Sequence, residues 1–226
     1  MLEHSRLSRM LRSIDSAVYY SGKAMARSVK RMIGLPTFPP KRYAALYAEI
    51  ARMRPNNILE IGTHDGTNAV HMSRLASTAG HPVRYYGFDL FEGLGASELR
   101  RESALRPRRL NEVQAYLRRQ GVDALLFPGD TTQTLPRTAP DLPLMDLIFI
   151  DGGHSVETVS HDWDNVAPLI HSGTVVYFDD YPNWGVKTVV DAIDPKHWNV
   201  EVLPIVDEFR GTRGMMSFRL VRVRRR

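Results

Sequence analysis

The period of apolar and polar positions changes along the chain, and each change marks an element. Residues 1–35 read as an amphipathic or partly ordered helical extension. Pro36-Thr37-Phe38-Pro39-Pro40 interrupts it, because proline lacks the N–H that a helix interior needs. Tyr43, Leu46, Tyr47 and Ile50 then fall on one face of a helix predicted over 41–53. From Asn57 onward, apolar strand-like runs alternate with helical patterns. Strands are expected at 57–62, 83–89, 124–127, 145–150 and 174–178, with two more near 198–204 and 214–223. Helices are expected over 66–77, 155–169 and 185–193, with polar helices over 96–120 broken at Pro107. Met145–Ile150 is nearly unbroken in its apolar run, which suits a strand buried on both faces. This alternation predicts an α/β class, a Rossmann-like doubly wound sheet that is mainly parallel, with right-handed crossovers. The boundaries follow: a helical extension and linker over 1–40, and one α/β domain over 41–226.

Composition narrows the function classes. A chain of 226 residues suffices for one sizeable core. It has no cysteine, which excludes disulfides and thiolate metal sites, and no apolar run long enough to predict a membrane span. The basic, polar start lacks the apolar centre of a secretory signal, so a cytoplasmic enzyme is the expectation. The net charge of +5 sits at the ends: seven Lys/Arg against two acids in 1–35, and five arginines in 219–226. Basic ends suit nucleic acid or an anionic surface; a pair of solvated tails is the favoured reading, which leaves nucleic acid the disfavoured partner.

The first candidate site is the strand and turn Glu60-Ile61-Gly62-Thr63-His64-Asp65-Gly66-Thr67. Open α/β sheets bind cofactors where a strand tip meets a helix N-terminus. The dinucleotide fingerprint Gly-x-Gly-x-x-Gly is absent, since Glu60 stands before Gly62 and the next glycine comes four residues later. A carboxylate there would repel a diphosphate and suit a cationic end, such as the amino group and sulfonium of S-adenosylmethionine. An ordinary strand-turn-helix link, with glycines for positive φ, is the plainer alternative.

The second candidate site lies at two later strand tips, Asp151-Gly152-Gly153-His154 and Asp179-Asp180. In a parallel sheet both tips share the edge that carries Gly62. Asp151, Asp179 and Asp180 would then converge, which is costly unless a cation neutralises them. Oxygen ligands of this kind suit Mg²⁺ or another hard divalent ion. A hydroxyl beside such an ion loses its proton more easily, and His154, three residues past Asp151, is placed to take it. Against this, Asp179-Asp180 also reads as a turn pair before Pro182, and His154 as a capping or packing residue. Trp163 and Trp184 both read first as core residues, and Trp184, close after the Asp pair, also reads as a wall of the acceptor pocket. The arginines at 100, 101, 106, 108, 109, 118 and 119 read either as a grip on an anionic acceptor or as a solvated helix face.

Taken together, Glu60-x-Gly62-x-x-x-Gly66, Gly87-Phe88-Asp89-Leu90-Phe91-Glu92-Gly93, Ile150-Asp151-Gly152-Gly153-His154 and Phe178-Asp179-Asp180-Tyr181 resemble a class I S-adenosylmethionine-dependent methyltransferase. More narrowly, they resemble the metal-dependent sugar O-methyltransferases of the macrocin and mycinamicin type, over roughly residues 41–205. The resemblance implies a seven-stranded sheet whose last strand is antiparallel. It implies S-adenosylmethionine and Mg²⁺ as cofactors and a small-molecule hydroxyl, a sugar, as acceptor. Glu60 and Gly62, with Thr63, Gly66 and Thr67 in the same turn, would lie beside the methionine moiety. Asp89 would accept the ribose hydroxyls, Leu90 and Phe91 would flank the adenosine, and Asp130 would lie near the adenine amino group. Asp151, Asp179 and Asp180 would be the metal ligands. His154 would be the base, a role that some relatives give to the equivalent of Asp151. The substrate-binding insertions of the macrolide enzymes are not recognisable, which leaves the acceptor open. Catechol-type methylation needs the same metal geometry. A nucleotide- or nucleic-acid-binding module with a degenerate pocket is the alternative from another class, and a homo-oligomer is compatible with either.

Overall fold

A computed structural model describes residues 39–226, apart from 94, 96–107 and 212–213. The extension predicted over 1–35 and three of the clustered arginines (100, 101 and 106) lie outside the described residues.

Among the described residues there are eight strands, the first six separated by helices: β1 Asn57–Ile61, β2 Arg84–Asp89, β3 Asp123–Pro128, β4 Met145–Ile150, β5 Ile170–Tyr181, β6 Trp198–Val202, β7 Asp207–Gly211 and β8 Gly214–Arg225. The helices are α1 Ala44–Met53, α2 Thr67–Ala76, α3 Leu110–Arg119, α4 Thr131–Thr138, α5 Val156–Val166 and α6 Trp184–Asp191. The sheet runs β3-β2-β1-β4-β5-β8-β6, with β7 paired to β8 outside that path. Neighbours from β3 through β5 are parallel, and β8 runs antiparallel between β5 and β6. The chain reverses direction in sheet order between β1 and β4, the switch point at which open α/β sheets leave a crevice.

Alternation along the strands fills two cores. Leu59, Ile61, Ile148, Ile150, Val176 and Phe178 face one layer, with Leu135, Val159 and Val186 from α4, α5 and α6. Ile58, Tyr85, Leu147, Phe149, Val175 and Tyr177 face the other, with Leu46, Ile50, Val70, Met72 and Leu117 from α1, α2 and α3. Burying a side chain of this size stabilises by about 1.5–3 kcal/mol, so the two layers hold the strand tips in fixed register. Ile150 pairs with Phe178, which sets Asp151 beside Asp179 on the face covered by α1.

Three features depart from the sequence pattern. Helix α4 (Thr-Thr-Gln-Thr-Leu-Pro-Arg-Thr) was not expected, since its threonines and internal Pro136 are weak helix formers; the Asp130 side chain caps it by accepting from Thr132 N. Strand β7 adds a hairpin to β8 beyond the expected seven strands. Four of the five C-terminal arginines are not a solvated tail: they belong to β8, where Arg222 and Arg224 pair with Glu49 on α1. No helix among the described residues is long and apolar enough to cross a membrane.

Candidate functional site

The carboxyl edge of the sheet carries two clusters of acidic side chains. The first surrounds the turn after β1. Gly62 has φ +94°, and a Cβ there would fall 1.9 Å from the Asp151 carbonyl oxygen, so the turn can cross the tip of β4 only with glycine. Gly66, φ +75°, starts α2, and a Cβ there would press on Val113 and Leu117 of α3.

Four amides of this turn are already used within the protein. Gly62 N donates to Phe88 O, Gly66 N to Thr63 O, His64 N to Asp89 Oδ2 at 2.7 Å, and Thr67 N to Asp65 Oδ1 at 2.9 Å. What the mouth offers is carboxylate oxygen. Asp89 is half-buried at the tip of β2 and accepts one amide on each oxygen, from His64 and from Phe91. A carboxylate oxygen has a second lone pair, so each can still accept a hydroxyl. Asp130 is exposed beside it, and Gly129 N ties that loop to Asp89 O at 2.9 Å. Carboxylates with spare acceptor capacity fit a donor that carries ribose hydroxyls, amines and a cationic centre, and oppose a diphosphate.

Two expected members of this group sit deeper than the sequence suggested. Glu60 is 0% exposed, on the strand face that packs against α2, where Tyr85 Oη and Asn68 Nδ2 donate to it. Burial, first, pushes its carboxyl up to about 7, against the lowering effect of those two donors. Tyr85 also contacts Thr63 Oγ1 at 3.1 Å, so Glu60 braces the turn from beneath. Phe91 is 1% exposed and belongs to the core, while Leu90 is half-buried at the rim.

The second cluster lies at the tips of β4 and β5. One carboxylate oxygen from each of Asp151, Asp179 and Asp180 lies within 4.8 Å of the others. They border a small cavity floored by Ile150, Val159, Phe178 and Val186. Asp180 adopts φ +63°, which turns it out of line with the strand, and His154 Nε2 lies 2.7 Å from its Oδ2. The His154 ring stacks at 4.4 Å on Trp184, which is 41% exposed. Trp163 packs in the core, as expected.

Sequence reasoning missed the groups that neutralise this cluster. Arg42 is buried and grips Asp179 with two parallel bonds, Nε to Oδ1 at 2.6 Å and Nη2 to Oδ2 at 2.7 Å. Its backbone N and Nη1 both donate to Asp207 Oδ2. The Tyr43 hydroxyl donates to Asp179 Oδ2 at 2.6 Å and lies 3.0 Å from Asp151 Oδ2. Burial opposes the Arg42 charge, but its bond and attraction to Asp179 outweigh that and hold it protonated. Burial and then Asp179 and Asp180 push Asp151 well above the usual carboxylate range. The helical period marked Tyr43 as a packing residue, and it does meet Phe149 edge-on at 5.5 Å. No local signal showed that its hydroxyl reaches the acids.

In donor type and spread the trio suits a hard divalent ion. Asp151 and Asp180 would hold one as they stand. Asp179 has each oxygen doubly bonded already, since Asp180 N also donates to its Oδ1 at 2.7 Å.

Comparison with known proteins agrees with this geometry. Residues 59–181, more than half of the chain, match the family described as a methyltransferase domain. No curated protein matches. Among solved structures, the chain is similar to an O-methyltransferase from Bacillus cereus in complex with SAH, with a TM-score of 0.61 and 17% identity over 94% of this chain and 97% of that one. It is similar to the O-methyltransferase TomG from Streptomyces achromogenes, involved in tomaymycin synthesis and solved with SAM, with a TM-score of 0.59 and 18% identity over 94% and 96%. It is also similar to an rRNA methylase from Streptococcus thermophilus, with a TM-score of 0.58 and 11% identity over 84% and 99%. Likeness at this level concerns the fold and leaves the acceptor to be argued from the site. With the sheet order, the glycine turn and the matched residues in agreement, the chain belongs to the methyltransferase-domain family and has its Rossmann-like class I fold.

Proposed function

We propose that this protein is an S-adenosylmethionine-dependent O-methyltransferase acting in the cytoplasm on a hydroxyl of a sugar or glycosylated small molecule, with help from a divalent ion. The observation that carries the reading is the pairing of two mouths on one sheet edge. One offers carboxylates with spare acceptor capacity beside a turn in which four amides are already bonded; the other offers an acid-histidine cluster beside an exposed tryptophan. When bound, S-adenosylmethionine would supply an electrophilic methyl group for the acceptor oxygen and would leave as S-adenosylhomocysteine.

Asp89 holds the ribose hydroxyls, with Leu90 at the rim and Asp130 toward the base. Gly62, Thr63, Gly66 and Thr67 shape the turn beside the methionine end, which Glu60 supports from below. Trp184 presents a flat apolar face, suited to the C–H face of a sugar ring. His154 removes the acceptor proton. When its Nε2–H is donated to Asp180, the lone pair lies on Nδ1, the arrangement that lets a carboxylate orient a histidine base. For Asp151, the alternative base, burial and then Asp179 and Asp180 raise the pKa and favour the protonated form, and a bound cation would oppose that shift. The ion, bound by Asp151 and Asp180, would stabilise negative charge on the acceptor oxygen. Asp179 completes the expected ligand set only if Arg42 releases it.

The test is methyl transfer from labelled S-adenosylmethionine to a panel of free sugars, nucleotide-linked sugars, glycosides, catechols and RNA, with and without Mg²⁺. Label on a sugar hydroxyl is the expected result. Label on catechols alone would replace the acceptor class, and label on RNA alone would replace the reading of the second mouth.

A further inference from the structure

We propose that Arg42 is the resident counter-ion of the acidic cluster and that, with Tyr43, it withdraws Asp179 from ligand duty. The proposal deepens the methyltransferase reading above and rests on it only for the reaction being served.

A carboxylate offers about four acceptor positions. On Asp179, Oδ1 accepts Arg42 Nε and Asp180 N, and Oδ2 accepts Arg42 Nη2 and the Tyr43 hydroxyl, all at 2.6–2.7 Å. Every position is filled by the protein itself. The fork-to-fork geometry is the strong form of an arginine–carboxylate pair, and both side chains are almost wholly buried, so water screens it little.

Arg42 is not free to swing aside. Asp207 on β7 holds its backbone N and its Nη1, and its guanidinium lies 5.6 Å from the Phe218 ring and 4.9 Å from Tyr43. Asp180 stands 3.6 Å from Nη2, outside hydrogen-bond reach, and is engaged by His154 instead. A divalent ion entering here therefore meets two carboxylates and a fixed positive charge, not three carboxylates. Removing that charge should improve the site for a metal, an effect that a purely structural arginine would not produce.

The experiment is a titration of the full chain with Mn²⁺, followed by electron paramagnetic resonance, for wild type, Arg42→Gln and Tyr43→Phe. Arg42→Gln should bind Mn²⁺ roughly tenfold more tightly, because a nearby repelling charge is lost and Asp179 is opened. Tyr43→Phe opens one position on Asp179 without changing charge, and should tighten binding by roughly threefold. If Arg42→Gln does not fold, Tyr43→Phe carries the test. Unchanged or weaker binding in the folded variant overturns the proposal, as does the absence of Mn²⁺ binding in all three proteins. A parallel titration with S-adenosylhomocysteine separates the two claims. Loss of its binding to wild type would remove the methyltransferase reading and leave the Mn²⁺ contrast to be judged alone.

Discussion

The two mouths treat acidic side chains in opposite ways. Over β1 to β3, Asp89 and Asp130 are half-buried or exposed and accept backbone amides. Over β4 and β5, Asp179 and Asp180 are buried, Asp151 is half-buried against the Tyr43 hydroxyl, and a guanidinium from far along the chain pairs with Asp179. Charge near water exchanges partners at low cost, which suits reversible binding. Charge in a dry site is expensive to leave unbalanced, so moving one proton or cation there has a large effect. On the proposed function, the first mouth would hold the ligand and the second would do the chemistry.

The largest effect should come from breaking the second mouth alone. His154→Ala is expected to lower kcat by roughly 10²- to 10⁴-fold, the usual worth of a positioned base, while S-adenosylhomocysteine affinity stays near wild type. An equal loss in both quantities would show that His154 holds the fold together and does not serve the reaction.

Next in size is the boundary between the mouths, at Glu60. Its folded pKa of about 7 lies above the ordinary 4.5, so between these values the folded chain keeps a proton that the unfolded chain has lost. Stability therefore falls as pH rises through that window and levels off above it, by about 3 kcal/mol for this group. Glu60→Gln should remove that part of the slope in urea unfolding measured at pH 4.5 to 8. Identical slopes in the two proteins would mean that Glu60 ionises freely in the fold.

Breaking the first mouth should cost less. Asp89→Ala is expected to weaken S-adenosylhomocysteine binding by about 10- to 100-fold, the worth of one or two charge-assisted hydrogen bonds, with Mn²⁺ affinity unchanged. Loss of both would join the mouths into one site. The smallest effect concerns Trp184: replacing it with alanine should raise the acceptor KM several-fold, the scale of a lost apolar contact, and spare cofactor affinity. Calorimetry and steady-state kinetics read these two variants.

How much of this was legible in the sequence depended on range. The strand tips were readable because apolar runs such as Met145–Ile150 announce buried strands, and Gly62 and Asp151 follow them directly. Arg42 was not, because its partner Asp179 is 137 positions away and nothing near Pro40 marks an inward arginine. Glu60 carried an unused signal: it alternates with Leu59 and Ile61, and Ile58 shares its face toward α2, so it points into a packed layer and not into the crevice. The arginines of β8 misled by composition, since a charged ending hid a strand whose Leu220, Val221 and Val223 are fully buried.

The central claim is that the crevice over β1 and β2 holds S-adenosylmethionine, and calorimetric titration of the full chain with S-adenosylhomocysteine tests it most directly. One-to-one binding that weakens in Asp89→Ala is the result expected. No binding to wild type, with or without Mg²⁺, would contradict the account.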